Sequence, residues 1–305
     1  MGEGRMRGLK LGKFAFLNVW PIYYALETGR VDHDFEIVAG SPAQLNEKMR
    51  RGELDLSPVS SVAYARHPDR MQLLPGIAIA CDGPVQSVLL LSRRPVEDLD
   101  GQEILLTRQS DTSVVLLKVL MQELLGFRRV RYRRGGLREG LENGAPPTAF
   151  LAIGDEALVY RNHPDYPYVW DLAEVWKRWT GLPFVFALWV VRRGRRPVHT
   201  QAVGRAVEAL WAAKRWGLEH LDVICAQAAR TGILDHAGLE RYYRTFSFGL
   251  NGQTLAGLEL FFRHMVRIGD IGQLPPLDFV QAGPGTEESR VEIAREGGRE
   301  WVGNA

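Results

Sequence analysis

The sequence predicts an α/β fold of two lobes, with a largely parallel sheet and a central cleft. Within the first 65 residues, a short apolar run is followed three times by a polar loop and a helix-forming segment. This order is typical of parallel β-α units. A later apolar run, residues 184–191, is long enough to return to the first unit as a buried strand. The length of 305 residues also fits two domains, or one domain of two lobes.

The first two strand-to-helix passages carry clear helix-start signals. Residues 11–16 form an apolar run, and the helix that follows has Pro21 in its first turn, where proline is favoured. Residues 35–38 form a second strand, after which Ser41 is followed by a proline and, three residues on, by a glutamine. Serine and glutamine at this spacing form a capping box, so a second helix is predicted to begin there.

The third passage leads into two longer strands. Residues 54–59 precede Ser60 and Ser61, which can cap a short helix. Residues 73–80 and 85–92 are the next two strands, and the glycine and proline between them mark a turn.

A further pair of β-α passages follows the turn. Residues 104–107 form a strand, and residues 110–113 begin a helix. The apolar positions of that helix recur at intervals of three and four: Val114, Leu117, Met121 and Leu124. Residues 149–153 form another strand, with Gly154 and Asp155 at the turn into the next helix.

Two chain crossings define the predicted lobes. If the strand at 85–92 leaves the first unit and the strand at 184–191 returns to it, the intervening chain becomes an inserted second lobe. The predicted divisions are residues 8–91 plus 185–280 for the first lobe, 92–184 for the second, and 281–305 for a C-terminal tail. Helices are predicted over residues 197–229 and 238–269.

Composition argues against several functions. Lysine and arginine total 38 and aspartate and glutamate 36, a net charge of +2, which is too weak to collect nucleic acid or an anionic membrane surface. Cys81 and Cys225 are too few for a disulfide framework. The histidines show no ligand spacing, so we expect neither a metal nor a cofactor. With no secretory signal or membrane-length apolar stretch, a cytoplasmic protein is expected; the oligomeric state stays open.

Hydroxyls at a predicted helix start form the first candidate site. Ser110, Thr112 and Ser113 lie beside backbone amides that can bind a carboxylate or phosphate. The same residue types are also favoured as ordinary helix caps. The intervening Asp111 already complements the helix dipole, which argues against an anion. The sequence leaves both interpretations open.

Further polar side chains are predicted at the same edge of the sheets, where ligands of open α/β folds bind. Asn18 follows a strand, so its amide can donate and accept towards a cleft, and Ser87 begins a predicted crossing strand. Each could equally be structural. The remaining candidates are Ser60, Ser61, Gly154 and Asp155.

Six stretches, in this order and spacing, resemble one protein family. They are FLNVWP (16–21), DLSPVSSVAY (55–64), GPVQSV (83–88), TRQSDTS (107–113), IGDEAL (153–158) and WKRWTGLPFVFA (176–187). Together they resemble the chorismate dehydratases of the futalosine route to menaquinone. The resemblance runs from about residue 8 to residue 270.

That resemblance implies a type II periplasmic-binding-protein-like fold, with two lobes, two crossing strands and a central cleft. It also implies the dehydration of chorismate to 3-[(1-carboxyvinyl)oxy]benzoate. The family is thought to let the enolpyruvyl carboxylate of the substrate take the proton, and no histidine base lies in the matched stretches.

Roles for individual residues follow as hypotheses. Asn18 and Ser87 are predicted to orient and hydrogen-bond the substrate as the catalytic pair, and Asp155 is the fallback base. The remaining predicted substrate contacts are the carboxylate site Ser110, Thr112 and Ser113, the cleft wall Ser60 and Ser61, and the turn at Gly154.

Two alternatives remain. One is the later enzyme of the same route, which forms 1,4-dihydroxy-6-naphthoate on the same fold, although the Asn18 and Ser60–Ser61 patterns look more like the dehydratase. The other is a non-catalytic module that binds a small anion. Product formation separates this module from both enzymes.

Overall fold

The structure is a computed structural model, which describes residues 8–142, 146–193 and 200–280. The strands, in chain order, are β1 (Lys10–Phe14), β2 (Glu36–Gly40), β3 (Leu56–Ser60), β4 (Met71–Cys81), β5 (Val88–Ser92), β6 (Glu103–Thr107), β7 (Arg131–Gly135), β8 (Ala149–Ile153), β9 (Tyr168–Asp171), β10 (Phe184–Arg192) and β11 (Phe246–Ser247). The predicted tail, residues 281–305, lies outside the described residues.

The helices surround two sheets. They are α1 (Trp20–Glu27), α2 (Pro42–Arg51), α3 (Ser61–Arg66), α4 (Thr112–Val119), α5 (Leu137–Glu142), α6 (Gly154–Tyr160), α7 (Leu172–Thr180), α8 (Thr200–Glu219), α9 (Leu221–Ala228), α10 (His236–Tyr243) and α11 (Gly252–Arg267). Short 3-10 turns also occur, and Leu17–Val19 between β1 and α1 is the one that matters below. No helix in the described ranges is long and apolar enough to cross a bilayer.

Each sheet combines parallel strands with an antiparallel return. The first has the order β11-β4-β10-β3-β1-β2 and the second the order β7-β6-β8-β5-β9. In the first sheet, β1 runs parallel to β2 and β3, and β10 is antiparallel to β3 and β4. In the second, β6 is parallel to β7 and β8, and β5 is antiparallel to β8 and β9. The predicted two-lobed α/β architecture is confirmed.

The local helix signals are confirmed as well. Ser41 accepts a hydrogen bond from the Gln44 amide, and the reciprocal bond completes the capping box of α2. Ser60 caps α3 by accepting from the Ala63 amide at 3.1 Å. These local contacts set where α2 and α3 begin, next to the ends of β2 and β3.

The chain crosses between the sheets in a different way from that predicted. Residues 85–92 and 184–191 are predicted to cross, but among the described residues β5 pairs within the second sheet and β10 within the first. The chain instead crosses at residues 82–87, and again through α7 and the loop that follows it. The lobe limits at residues 92 and 184 stay a prediction.

The two long predicted helices are interrupted. The segment predicted over 197–229 divides at His220, whose backbone leaves the helical region, into α8 and α9, and residues 194–199 lie outside the described chain. The segment predicted over 238–269 is divided by β11 and by a new start at Asn251, which caps α11. A second capping box at Asn251 and Thr254 explains this restart.

Helix α8 packs closely on α1 at Gly217, and this contact yields a stability prediction. A Cβ atom at Gly217 would lie 1.8 Å from the Pro21 carbonyl oxygen, whereas one at Gly204 on the same helix would meet nothing within 4 Å. We therefore expect Gly217→Ala to lower the free energy of unfolding by about 1–3 kcal/mol through overpacking. Gly204→Ala should leave it unchanged or raise it by about 0.5–1 kcal/mol. Urea unfolding of both variants measures the difference, and equal stabilities would contradict the close contact.

Candidate active site

A cleft lies between the two sheets, and its empty volume is about 480 Å³ when the open solvent at its mouth is included. Ten of the lining residues are apolar, four of them phenylalanines, and the polar side chains are hydroxyls and one amide. The apolar lining residues are Phe14, Phe16, Pro42, Ile79, Val85, Val88, Ile153, Phe186, Ala187 and Phe246. The others are Asn18, Ser60, Ser87, Ser110, Thr112, Ser113 and Gly154. Among these described lining residues there is no charged side chain.

Asn18 is presented to the cleft by the 3-10 turn Leu17–Val19, which connects β1 to α1. Pro21 in the first turn of α1 fixes where the helix begins. The Asn18 Oδ1 atom is buried and has no hydrogen-bond partner among the residues that the structure describes. An unpaired buried amide oxygen is costly, so a bound ligand that donates to it would remove that cost.

Ser87 also lines the cleft, and both its backbone and its side chain are held by hydrogen bonds. The Gly154 amide donates to the Ser87 carbonyl at 2.7 Å. The Tyr242 hydroxyl donates to Ser87 Oγ at 2.9 Å, and Ser87 Oγ lies 3.4 Å from the Val85 carbonyl oxygen. Ser87 is thus held at a fixed position in the lining of the cleft.

The residue before Ser87 has a left-handed backbone. Gln86 has a φ of 63°, an uncommon conformation for a residue with a side chain. The Asp171 carboxylate accepts from the Gln86 amide at 2.6 Å and from the Ala173 and Glu174 amides at 3.1 and 3.2 Å. Burial raises the pKa of Asp171, and these amide hydrogen bonds oppose the rise. Asp171 therefore ties the turn before Ser87 to the start of α7.

The start of α4 forms a set of hydroxyls. Ser110 Oγ accepts from the Ser113 amide at 3.1 Å and donates to Ser113 Oγ at 3.1 Å. The Val62 amide, from the first sheet's side, donates to Thr112 Oγ1 at 3.3 Å. Because a helix N-terminus carries partial positive charge, these hydroxyls and the α4 amides suit a carboxylate.

The sequence predicts that the charge of Asp111 disfavours an anion at the start of α4, but in the structure this carboxylate makes other contacts. The Asp111 side chain makes no cap with the helix amides. It forms an ion pair with Arg134 at 3.2 Å and accepts from Asn46 Nδ2 at 3.4 Å, and it is not among the cleft-lining residues. The negative charge of Asp111 is thus balanced by Arg134, and it does not lie in the cleft lining.

The two adjacent serines Ser60 and Ser61 have different surroundings. Ser60 lines the cleft, caps α3 and accepts from Asn46 Nδ2 at 3.1 Å. Ser61 is fully buried and donates to the Val185 carbonyl at 2.7 Å, and it does not line the cleft. Ser61 therefore lies behind the wall that it was predicted to form, because the short helix α3 turns it towards β10.

Of the two residues at the turn into α6, Gly154 lines the cleft and Asp155 does not. Gly154 lines the cleft with a φ of 57°, and a Cβ atom there would lie 2.9 Å from the Phe16 ring. The Asp155 carboxylate is not among the lining residues but accepts from the Leu17 amide at 3.1 Å. Burial raises the pKa of Asp155 above its ordinary value. Asp155 thus supports the turn that carries Asn18.

Sequence reasoning missed the four phenylalanines of the cleft lining, and it missed Tyr242. Phe16 and Phe186 lie inside the stretches that carry the family resemblance, so their position there was an available signal. Tyr242 lies on α10 and is separated from Ser87 by 155 residues in the chain, so no local pattern connects them. Among the described residues, no three histidine, cysteine or carboxylate side chains group as a metal site.

Comparisons with known proteins show which family the chain resembles. A family model described as menaquinone biosynthesis matches residues 9–267. The chain is 34% identical over 272 residues to a chorismate dehydratase of Thermus thermophilus, covering 84% of this chain and 94% of that protein.

Solved structures share the fold at lower identity. A protein of Archaeoglobus fulgidus superposes with a TM-score of 0.73 at 18% identity, covering 88% of this chain and 100% of that chain. The periplasmic aliphatic sulphonate binding protein of Escherichia coli superposes with a TM-score of 0.61 at 11% identity, covering 89% of this chain and 90% of that chain. The chain has the two-lobed periplasmic-binding-protein fold, and by its family match and its identity to the Thermus protein it belongs to the menaquinone biosynthesis family.

Proposed function

We propose that this protein is a hydro-lyase that converts chorismate to 3-[(1-carboxyvinyl)oxy]benzoate. The observation that carries the proposal is the cleft itself, whose lining combines apolar side chains, four of them phenylalanines, with hydroxyls, an amide and a helix N-terminus. Chorismate has a cyclohexadiene ring and two carboxylates. Its ring suits the apolar part of the lining, and a carboxylate suits the start of α4.

The carboxylate site consists of Ser110, Thr112 and Ser113. Two of these hydroxyls already bond to each other at 3.1 Å, and all three line the cleft. No lysine or arginine lines the described cleft, so recognition depends on neutral donors and the dipole of α4 rather than on an ion pair.

The elimination needs little acid–base chemistry from the protein. The ring loses one proton and the neighbouring hydroxyl, and its aromatisation favours the reaction. The enolpyruvyl carboxylate of the substrate takes the ring proton and passes it to the departing hydroxyl, so that one water leaves. The Asn18 amide and the Ser87 hydroxyl orient the substrate and hydrogen-bond the charge that develops. The uncharged lining of the described cleft supports this substrate-assisted scheme.

The direct test is incubation of the purified protein with chorismate, without added metal or nucleotide. The loss of diene absorbance together with a product lighter by one water supports the proposal. Binding by calorimetry without turnover would overturn it in favour of an anion-binding module. If the protein neither binds nor converts chorismate, the naphthoate-forming enzyme and its futalosine-derived substrate become the next function to test.

The position of Asp155 predicts that it is not the base. An asparagine there can still accept from the Leu17 amide, so we expect Asp155→Asn to keep kcat within about threefold, whereas Asp155→Ala, which loses the acceptor, should lower kcat about tenfold. Steady-state kinetics with chorismate measures both variants. Loss of turnover in Asp155→Asn with unchanged chorismate affinity would instead make Asp155 the proton acceptor.

The same substitution has a pH signature. Because burial raises the pKa of Asp155, the folded state holds this proton more tightly than the unfolded chain does. The contribution of Asp155 to the free energy of unfolding is therefore retained below its ordinary pKa and falls as pH rises through the raised pKa. Asp155→Asn should therefore raise Tm at pH 7, and the difference from the wild type should vanish below the ordinary pKa. A difference independent of pH would contradict this account.

A further inference from the structure

Behind the cleft wall, one buried tyrosine contacts Ser87. Tyr242 lies on α10 and is fully buried. Its ring packs edge-on against Phe246, with ring centroids 5.0 Å apart, and against the neighbouring Tyr243 at 5.7 Å. With its ring enclosed in this way, the Tyr242 hydroxyl has a fixed position beneath the Ser87 side chain.

The direction of the hydrogen bond between Tyr242 and Ser87 can be assigned. The Tyr242 hydroxyl lies 2.9 Å from Ser87 Oγ, and the described residues give it no other partner. A buried phenol that lacks any other acceptor donates to the one it has. Burial also raises the pKa of Tyr242, so its proton is retained at ordinary pH and the donation persists.

This donation determines what Ser87 can offer to a ligand. One lone pair of Ser87 Oγ is occupied by the Tyr242 proton, while the hydroxyl proton of Ser87 has only the Val85 carbonyl, at 3.4 Å. That contact is long for a hydroxyl hydrogen bond. The Ser87 proton is therefore free to turn towards an acceptor in the cleft.

We propose that Tyr242 is a positioning residue that fixes Ser87 as a hydrogen-bond donor to the departing hydroxyl of the substrate. The proposal rests on the function proposed above. Ser87 keeps its proton throughout the step and so does Tyr242, since the water is formed from the departing hydroxyl and the proton removed from the ring. Tyr242 acts only by aligning the donor in advance.

The test uses two adjacent tyrosines. Tyr242→Phe removes the hydroxyl that holds Ser87. Tyr243→Phe is the matched control, since the Tyr243 hydroxyl is buried with no hydrogen-bond partner among the described residues. With chorismate as the substrate, we expect Tyr242→Phe to lower kcat about tenfold with KM changed less than about threefold, the effect of one neutral hydrogen bond. Tyr243→Phe should leave kcat unchanged.

A double-mutant cycle separates positioning from a general structural effect. If Tyr242 acts through Ser87, Tyr242→Phe should cause no further loss of kcat in a Ser87→Ala background. A Tyr242→Phe enzyme with full kcat, or one whose loss adds in full to that of Ser87→Ala, would overturn the inference while wild-type turnover leaves the proposed function standing. A wild-type protein that does not convert chorismate would overturn the proposed function, and the inference with it.

Discussion

Replacing Asn18 with alanine is expected to lower kcat for chorismate dehydration by about 100- to 1,000-fold, the usual effect of removing one aligned hydrogen-bonding group from a site that stabilises developing charge. The amide lines the cleft, and its Oδ1 atom is buried with no partner among the described residues. Because no hydrogen bond among the described residues depends on this side chain, and its unpaired oxygen is costly in the unliganded protein, the substitution should leave Tm unchanged or raise it. Steady-state assays of product formation measure this change in kcat.

Asn251 is the matched control for this substitution. It caps α11 by accepting from the Thr254 amide at 3.1 Å and is not among the cleft-lining residues. Asn251→Ala should therefore cost about 1 kcal/mol of stability and leave kcat unchanged, the reverse of Asn18→Ala. An Asn18→Ala enzyme with full activity would remove Asn18 from the proposed catalytic pair.

The parts of the fold that local interactions determine could be predicted from the sequence. The capping box at Ser41 and the strand Ala149–Ile153 depend on neighbouring residues, and both are found as predicted. The long helical segments were predicted wrongly, since His220 leaves the helical region and Asn251 begins a new helix. Helical apolar spacing continues across such breaks, so periodicity alone cannot place them.

The candidate site was predictable to the extent that it follows from strand ends and helix starts. Ser60, Thr112 and Ser113 begin helices at the edge where the two sheets face each other, so their position in the cleft follows from the order of elements. The direction in which each side chain points does not follow from that order. Ser61 bonds to Val185, 124 residues away, and Asp155 bonds to Leu17, 138 residues away; such contacts depend on tertiary packing that a local pattern does not contain.

Ser113→Asp should weaken chorismate binding by at least about 100-fold relative to Ser113→Asn. The asparagine side chain has nearly the same shape as aspartate but no charge. Ser113 is buried at the start of α4 and lines the cleft, where we place a substrate carboxylate. Two like charges about 4 Å apart repel by about 4 kcal/mol at an effective dielectric constant of about 20. Each 1.4 kcal/mol or so corresponds to a tenfold change in Kd. Calorimetric titration of both variants measures the ratio.

Stability separates this repulsion from misfolding, because the repulsion acts only when the substrate carboxylate is bound. The helix N-terminus favours a carboxylate by about 0.3–1 kcal/mol, which offsets part of the cost of burying the charge at Ser113, so we expect Ser113→Asp to remain folded while it binds chorismate more weakly than Ser113→Asn. A variant that loses both stability and affinity would indicate disruption of the bond to Ser110, which is 3.1 Å long. Equal affinities in two stably folded variants would show that the substrate carboxylates bind elsewhere in the cleft, since an added negative charge beside a carboxylate must weaken its binding.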